Sequence, residues 1–250
     1  MTEFPDRKSK QLLSKHKLDD FDSLWTLKSE WFEAPNERRG GWSGVVKYAL
    51  EDEQNKQVVF IKRQENHITR TWRHPFRGVP TFQKEYRNIQ RLINKQIPTL
   101  EPIYFGLNKM RSILVTRSLE KYQSLDTIDP ATLAPRERRR LLKKLARVIS
   151  TLHTHHYQHN CLYPKHIFVR FSKKGRWKVR LIDLEKMKWT PLKRQAMVRD
   201  LQTLHRHSGP NWNLRDRVYF MQKYFNEPRL SAKSRRIWQI VDRKTNKKNA

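Results

Sequence analysis

The chain has almost no cysteine and no long apolar run, and each absence excludes a class of protein. Cys161 is the single cysteine among 250 residues, so neither an intramolecular disulfide framework nor a four-cysteine zinc site can form. No apolar stretch approaches the roughly 18 residues of a membrane-spanning helix, and none follows the N-terminal charges as a secretory signal requires. We therefore expect a cytoplasmic protein, free in solution or peripheral on the inner face of the cytoplasmic membrane.

Acidic residues are also scarce relative to basic ones. The 24 Asp and Glu face 54 Lys and Arg, which gives a formal net charge of +30. Such a surface favours a polyanionic partner: nucleic acid, nucleotide phosphate or an anionic membrane. Hydrophobic residues make up 36% and aromatic residues 11% of the chain, so a core can form and a disordered polycation is excluded.

The hydrophobic pattern predicts strands first and helices later. Strands are indicated at residues 45–50, 58–63, 102–105 and 113–115, and a later hairpin at residues 167–171 and 178–182. Helices are indicated from Thr81, where Phe82, Tyr86, Ile89 and Ile93 recur at helical spacing, at residues 135–153, and within residues 190–228. The turn residues Pro75, Gly78 and Pro80 indicate a loop over residues 66–80.

This order favours an α+β architecture with segregated lobes. We predict a basic N-terminal arm at residues 1–24, which looks loose because it has no sustained periodicity. A small antiparallel-sheet lobe with one helix follows at residues 25–119. A mainly helical lobe occupies residues 120–228, and residues 229–250 form a basic tail.

Four features fall in the order that phosphoryl transfer requires. Glycines at Gly40, Gly41 and Gly44 let backbone N–H groups approach phosphate oxygens, although three glycines between strands more often form just a tight hairpin. Lys62, at the end of an apolar strand, can reach phosphates if a carboxylate holds it. Glu85 is a suitable partner because it lies beside the apolar stripe of the first long helix.

The remaining two features lie further along the chain. Asp183 follows an apolar strand and is placed to bind Mg²⁺, which prefers carboxylate and phosphate oxygens; a turn-capping role is the alternative. The segment HNCLYPKH, residues 159–166, lies between the long helix and the predicted hairpin, where a catalytic loop belongs. No single feature is specific, but their joint order predicts a nucleotide site.

With these segments in place, the chain resembles the bacterial lipopolysaccharide kinases, a family with the protein-kinase superfold that includes the Kdo kinases and WaaP-type heptose kinases. The InaA branch is the most similar. The resemblance is carried by NERRGGWSGV, VFIKR, RHPFRGVPTFQKEYRNI, HNCLYPKHIFV and LIDLEK, over roughly residues 30–190. It implies that an ATP-dependent kinase transfers phosphate to a core sugar at the cytoplasmic membrane face.

The resemblance also assigns roles by position. It implies that Lys62 and Glu85 form an ion pair and that Asp183 holds the metal. His166 takes the place of a second metal ligand, although imidazole suits Mg²⁺ less well than oxygen does. Residues 116–119, with Thr116 and Ser118, would be the hinge beside adenine.

Cys161 departs from the family pattern, because active kinases have aspartate at this loop position. A thiol is mostly protonated at neutral pH and is a poor base, unless Lys165 and His159 lower its pKa. The chain is therefore either a kinase that works without this base or a nucleotide-binding pseudokinase with a regulatory or stress-response role.

Other readings remain open. Basic stretches at residues 136–147 and 229–248 suit nucleic-acid phosphates, but no helix-turn-helix, zinc-finger or RNA-binding motif accompanies them. Anionic lipid headgroups explain the same charge, as does a solvated surface without a partner. Zinc binding by His153, His155, His156 and His159 is disfavoured because no acid or cysteine completes the set. Nucleophilic catalysis by Cys161 with His159 lacks a third, orienting group.

Overall fold

The computed structural model describes residues 1–38, 40–51, 56–71, 74–209 and 211–246. Within these ranges, the α-helices are α1 Arg7–Lys15, α2 Phe21–Thr26, α3 Thr81–Asn94, α4 Pro135–Thr154, α5 Lys193–His207, α6 Leu214–Phe225 and α7 Ala232–Asn246. The β-strands are β1 Thr2–Glu3, β2 Trp31–Arg38, β3 Gly41–Glu51, β4 Lys56–Glu65, β5 Ile68–Thr71, β6 His74–Pro80, β7 Pro102–Asn108, β8 Arg111–Arg117, β9 Gln123–Ser124, β10 Tyr157–Gln158, β11 Ile167–Phe171, β12 Trp177–Leu181 and β13 Lys188–Trp189.

Two compact units divide the chain: residues 1–90 with 100–120, and residues 91–99 with 121–250. The first unit contains a six-stranded antiparallel sheet in the order β1-β7-β8-β4-β3-β2. Side chains alternate across the central strand β4, so that Val59 and Ile61 enter one apolar core while Lys62 contacts α3 on the other face. The strands predicted at 45–50, 58–63, 102–105 and 113–115 are confirmed.

Residues 1–23 are not a loose arm, and that prediction was wrong. Asp6 caps α1 by accepting a 2.7 Å hydrogen bond from the Ser9 backbone N–H, as helix N-caps commonly do. Leu13 of α1, Leu24 of α2 and Leu18 in the connection between them are buried in the core on the sheet face opposite α3. Both helices are short and each has a single buried leucine, so their sequence shows no long periodic run.

Residues 66–80 are not a loop either. β5 and β6 form an antiparallel hairpin with Ile68 opposite Pro80 and Thr69 opposite Val79. Pro and Gly residues at strand ends and irregular pairings look like loop signals in a sequence, which explains the error.

The second unit is mainly helical, as predicted. The predicted helix at 135–153 is α4, and the predicted hairpin is β11 paired with β12, with Gly175 in its turn at φ +66°. Residues 229–250 were expected to be only a basic tail, but α7 covers Ala232–Asn246 and packs against α5. Ile237 and Val241, four residues apart, are its buried stripe.

Candidate functional site

An ion pair joins β4 and α3 in the first unit. The Lys62 ammonium lies 2.8 Å from Oε1 and 3.0 Å from Oε2 of Glu85. The Glu85 side chain is 2% exposed and the Lys62 side chain 20% exposed. The Lys62 Nζ also lies 5.6 Å from the centroid of the Phe82 ring, one helical turn before Glu85. The structure thus brings together the two residues that the sequence predicted as a pair.

A neighbouring residue on the same strand fixes the start of α3. Gln64, two residues after Lys62 and on the same face of β4, is buried. Its Oε1 accepts a 2.8 Å hydrogen bond from the Phe82 backbone N–H, and its Nε2 donates to the His67 carbonyl at 2.7 Å. Gln64 therefore satisfies one of the free N–H groups at the helix start and sets the register that places Glu85 against Lys62.

The three glycines have different local roles. A Cβ on Gly44 would lie 2.6 Å from the Trp31 ring, and one on Gly41 would overlap the Glu65 carbonyl. These two glycines are therefore already required by packing within the sheet. Gly40, in the turn before β3, has φ +76° with nothing within 4 Å of a Cβ. Phosphate binding by these residues stays a prediction.

Thr116 and Ser118, the predicted hinge residues, lie at the end of β8 and just beyond it. Thr116 is buried and pairs with Phe60 of β4. The Ser118 backbone N–H donates to the Val58 carbonyl at 2.9 Å. A nucleotide contact at Ser118 would therefore use its carbonyl or hydroxyl group.

A buried carboxylate organises the loop that follows α4 in the second unit. Asp200 of α5 accepts hydrogen bonds from the backbone N–H of His159 at 2.6 Å and of Asn160 at 2.9 Å. His153 Nε2 lies 3.1 Å from the same carboxylate, and the Tyr224 hydroxyl lies 2.7 Å from His153 Nδ1. The Asp200 carboxylate and the His153 ring thus both have hydrogen-bond partners, as burial requires.

Asp200 was missed by the sequence reasoning. It stands at a core position of α5, four residues from each of the buried residues Ala196 and Leu204. An acid within an apolar stripe must have partners, and this was the available signal. The partners lie about 40 residues earlier in the chain, so the pattern did not identify them.

Cys161, His166 and Asp183 come together in the second unit. His166 Nδ1 lies 2.8 Å from the Cys161 carbonyl oxygen and 3.3 Å from Asp183 Oδ2. Because a carbonyl only accepts, Nδ1 carries a proton in this bond, and Nε2 is the ring nitrogen that remains for a metal. Asp183 follows β12 with φ +57°, a region that Asp enters more readily than most residues, and its side chain is 34% exposed.

The Cys161 thiol is buried, and its surroundings do not activate it. Burial raises the pKa of the thiol, and the Asp183 charge raises it further, whereas Lys186 opposes both effects. The suggestion that neighbours lower this pKa was therefore wrong, because desolvation outweighs the nearby cation. The thiol is protonated at neutral pH, which also argues against a nucleophilic role.

The histidines near this loop do not form a cluster. α4 ends at Thr154 and His156 has φ +61°, so His155 and His159 do not share a helix face. His159 is fully buried, and burial lowers its pKa. Within the described ranges, no group of three or more His, Cys, Asp or Glu side chains is arranged to hold a metal ion.

These features define the class of protein. The chain is similar to the solved structure of WaaP in complex with acyl carrier protein, with a TM-score of 0.69 and 19% identity over 99% of this chain and 98% of that one. The fold is therefore protein-kinase-like, which confirms the predicted α+β class.

The family follows from the sequence. Residues 22–224 match the lipopolysaccharide kinase (Kdo/WaaP) family, and the chain belongs to that family. Protein InaA of Escherichia coli (strain K12) is 29% identical over 203 residues, which cover 78% of this chain and 90% of InaA. The resemblance inferred from the motifs is thus confirmed.

Of the described helices, none is long and apolar enough to cross a membrane.

Proposed function

We propose that this chain binds Mg-ATP and transfers phosphate to a sugar hydroxyl of the lipopolysaccharide core, at the cytoplasmic face of the membrane. The observation that carries the proposal is the Lys62–Glu85 pair, with both carboxylate oxygens within 3.0 Å of the ammonium. A lysine that only faces solvent does not require a partner carboxylate buried in the core, as Glu85 is. A lysine held in this way presents a fixed positive charge to phosphate oxygens.

Asp183 is suited to hold the magnesium ion. Its carboxylate is one-third exposed, and Mg²⁺ in nucleotide sites typically uses one or two carboxylates together with phosphate oxygens. When bound, the ion would neutralise phosphate charge. His166 was predicted as a second ligand, and its Nδ1–H is directed at the Cys161 carbonyl and Asp183. This hydrogen bond orients the ring and leaves Nε2 as the nitrogen that would bind the ion.

Cys161 limits the rate in this proposal. A protonated thiol cannot accept the proton of the acceptor hydroxyl, so transfer proceeds without a general base at this position. Phosphoryl transfer passes through a loose transition state in which positioning and charge neutralisation are the larger contributions. The missing base therefore slows transfer without abolishing it.

The competing function is that of a nucleotide-binding pseudokinase. The raised pKa of the Cys161 thiol is the observation in its favour. Both functions require nucleotide binding, and they differ only in whether phosphate is transferred.

A transfer assay separates the two functions. Labelled phosphate from ATP is followed into rough-type lipopolysaccharide with the natural chain, Cys161→Ala and Cys161→Asp. We expect slow transfer by the natural chain, the same rate for Cys161→Ala because the thiol is not a base, and a rate at least about tenfold higher for Cys161→Asp. Transfer by Cys161→Asp alone would establish the pseudokinase. If the natural chain bound no nucleotide, both functions would be wrong.

A further inference from the structure

An open cleft of about 540 Å³ lies between the first turns of α4 and α6 in the helical unit. Arg138 and Arg139 of α4 line one side of it, and Arg215, Leu214 and Val218 of α6 line the other. We call these five residues, with Tyr219, the α4–α6 face. None of them belongs to the Lys62–Glu85 pair or to the Cys161 loop.

Two of the three arginines of this face have no acidic partner in the part of the chain that the structure describes. The Arg138 guanidinium lies 3.3 Å from the buried carboxylate of Asp216 and is therefore paired. Arg139 and Arg215 are exposed and have no carboxylate partner among the described residues. Arg139 instead lies 5.8 Å from the centroid of the Tyr219 ring.

The rest of α4 extends the positive surface. The helix carries seven Lys and Arg residues against one acid, Glu137. Several of the basic side chains outside the cleft are exposed: Arg136, Arg140, Lys143 and Arg147. The helix that lines one side of the cleft is thus strongly basic.

Two aliphatic side chains stand exposed among these charges. Leu214 is 69% exposed and Val218 is 36% exposed. They are four residues apart on α6 and therefore lie on one side of that helix. Aliphatic groups within a basic rim are the combination that amphipathic elements present to a lipid surface, where the charges meet headgroup phosphates and the apolar groups leave water.

We propose that the α4–α6 face docks the chain on a membrane that contains anionic phospholipids. Arg139 and Arg215 bind headgroup phosphates, and Leu214 and Val218 enter the boundary between headgroups and acyl chains. Nucleic acid satisfies the arginines equally well, but a duplex backbone gives the two aliphatic side chains no apolar environment. Docking through the α4–α6 face does not require a bound nucleotide.

Vesicle sedimentation tests this surface. The full chain is mixed with phosphatidylcholine vesicles that contain either no anionic lipid or 30% phosphatidylglycerol, and the bound fraction is measured against lipid concentration. A basic residue near an anionic surface contributes about fivefold to partitioning. We expect Arg139→Ala/Arg215→Ala to lower the partition coefficient for the anionic vesicles about 25-fold. The Leu214→Ser/Val218→Ser variant should lose the binding that persists at high salt.

A matched variant controls for net charge. Lys8→Ala/Lys10→Ala removes the same two charges from exposed positions on α1, and we expect it to change partitioning less than threefold. Equal losses in both basic variants would show that binding follows net charge alone and would overturn the proposal. So would an unchanged Leu214→Ser/Val218→Ser variant, or binding to duplex DNA but not to vesicles that depends on Arg139 and Arg215. Circular dichroism checks that each variant is folded.

Discussion

At the scale of single residues, Cys161 is the side chain on which the two proposed functions differ. Its thiol is 5% exposed, and its carbonyl oxygen, not its sulfur, makes the hydrogen bond to His166. The backbone of the loop is therefore held in place independently of the side chain at this position. A substitution at Cys161 consequently changes proton transfer more than loop structure.

Cys161 is the single cysteine, so alkylation of the chain reports on this thiol and tests its raised pKa. A raised pKa means that less thiolate is present at any given pH below it, so alkylation by iodoacetamide at pH 7.5 should be at least about tenfold slower than that of a free cysteine. The rate should rise as the pH increases beyond 9, and denaturant should restore ordinary reactivity. Labelling in the native state as fast as that of free cysteine would contradict the buried, protonated thiol.

The Asp200 carboxylate holds the same loop by accepting hydrogen bonds from the backbone N–H groups of His159 and Asn160. Asp200→Ala would remove the acceptor of two backbone N–H groups and leave Nε2 of the buried His153 without its partner. We expect a loss of about 3–5 kcal/mol in the free energy of unfolding, measured by urea denaturation. Asp126→Ala, at an exposed position, should change it by less than about 0.5 kcal/mol. A loss at Asp200 no larger than at Asp126 would show that the network does not hold the loop.

At the scale of elements, α1 and α2 complete the first unit by covering the sheet face opposite α3. Arg63 of β4 reaches across this face and donates to the carbonyl oxygens of Trp25 at 2.7 Å and Leu27 at 3.0 Å. The N-terminal residues are therefore part of the sheet's core. They support the strand that carries Lys62.

This role predicts a measurable cost for a single substitution in α1. Leu13 is fully buried, so Leu13→Ala should destabilise the chain by about 2–5 kcal/mol through lost burial and the cavity left behind. Lys15→Ala, exposed on the same helix, is the control and should have little effect. Equal stability of the two variants by thermal or urea unfolding would restore the interpretation of a loose arm.

At the scale of the whole molecule, the sequence predicted the features that depend on local pattern. Lys62 and Glu85 are 23 residues apart, but each stands beside an apolar stripe of its own element, which is why their pairing was predictable. The partners of Asp200 were not, because backbone N–H groups carry no side-chain signal. Helix α7 was not predicted because many of its residues are basic. Ile237 and Val241 are its buried apolar side chains, and two such residues are too few to show a helical period.

The net charge of +30 belongs to the molecule as a whole. It selects a partner less specifically than the Lys62–Glu85 pair does. It attracts nucleotide phosphate, phosphorylated glycolipid and anionic membrane alike. Salt weakens contacts between exposed charges far more than contacts between buried ones. Binding that depends on Lys62 should therefore survive at ionic strengths that release the chain from anionic vesicles.

Thermal unfolding with and without Mg-ATP tests most directly whether the chain binds this ligand and whether Lys62 and Asp183 are each needed for it. At ten times the dissociation constant, the ligand adds about 1.4 kcal/mol, which raises the Tm of a chain of this size by about 3–6 °C. We expect this shift for the natural chain and for the exposed controls Lys47→Ala and Asp126→Asn. Lys62→Ala and Asp183→Asn, each compared with its own ligand-free form, should show none. No shift for the natural chain at millimolar Mg-ATP, or an undiminished shift in Lys62→Ala, would contradict the account.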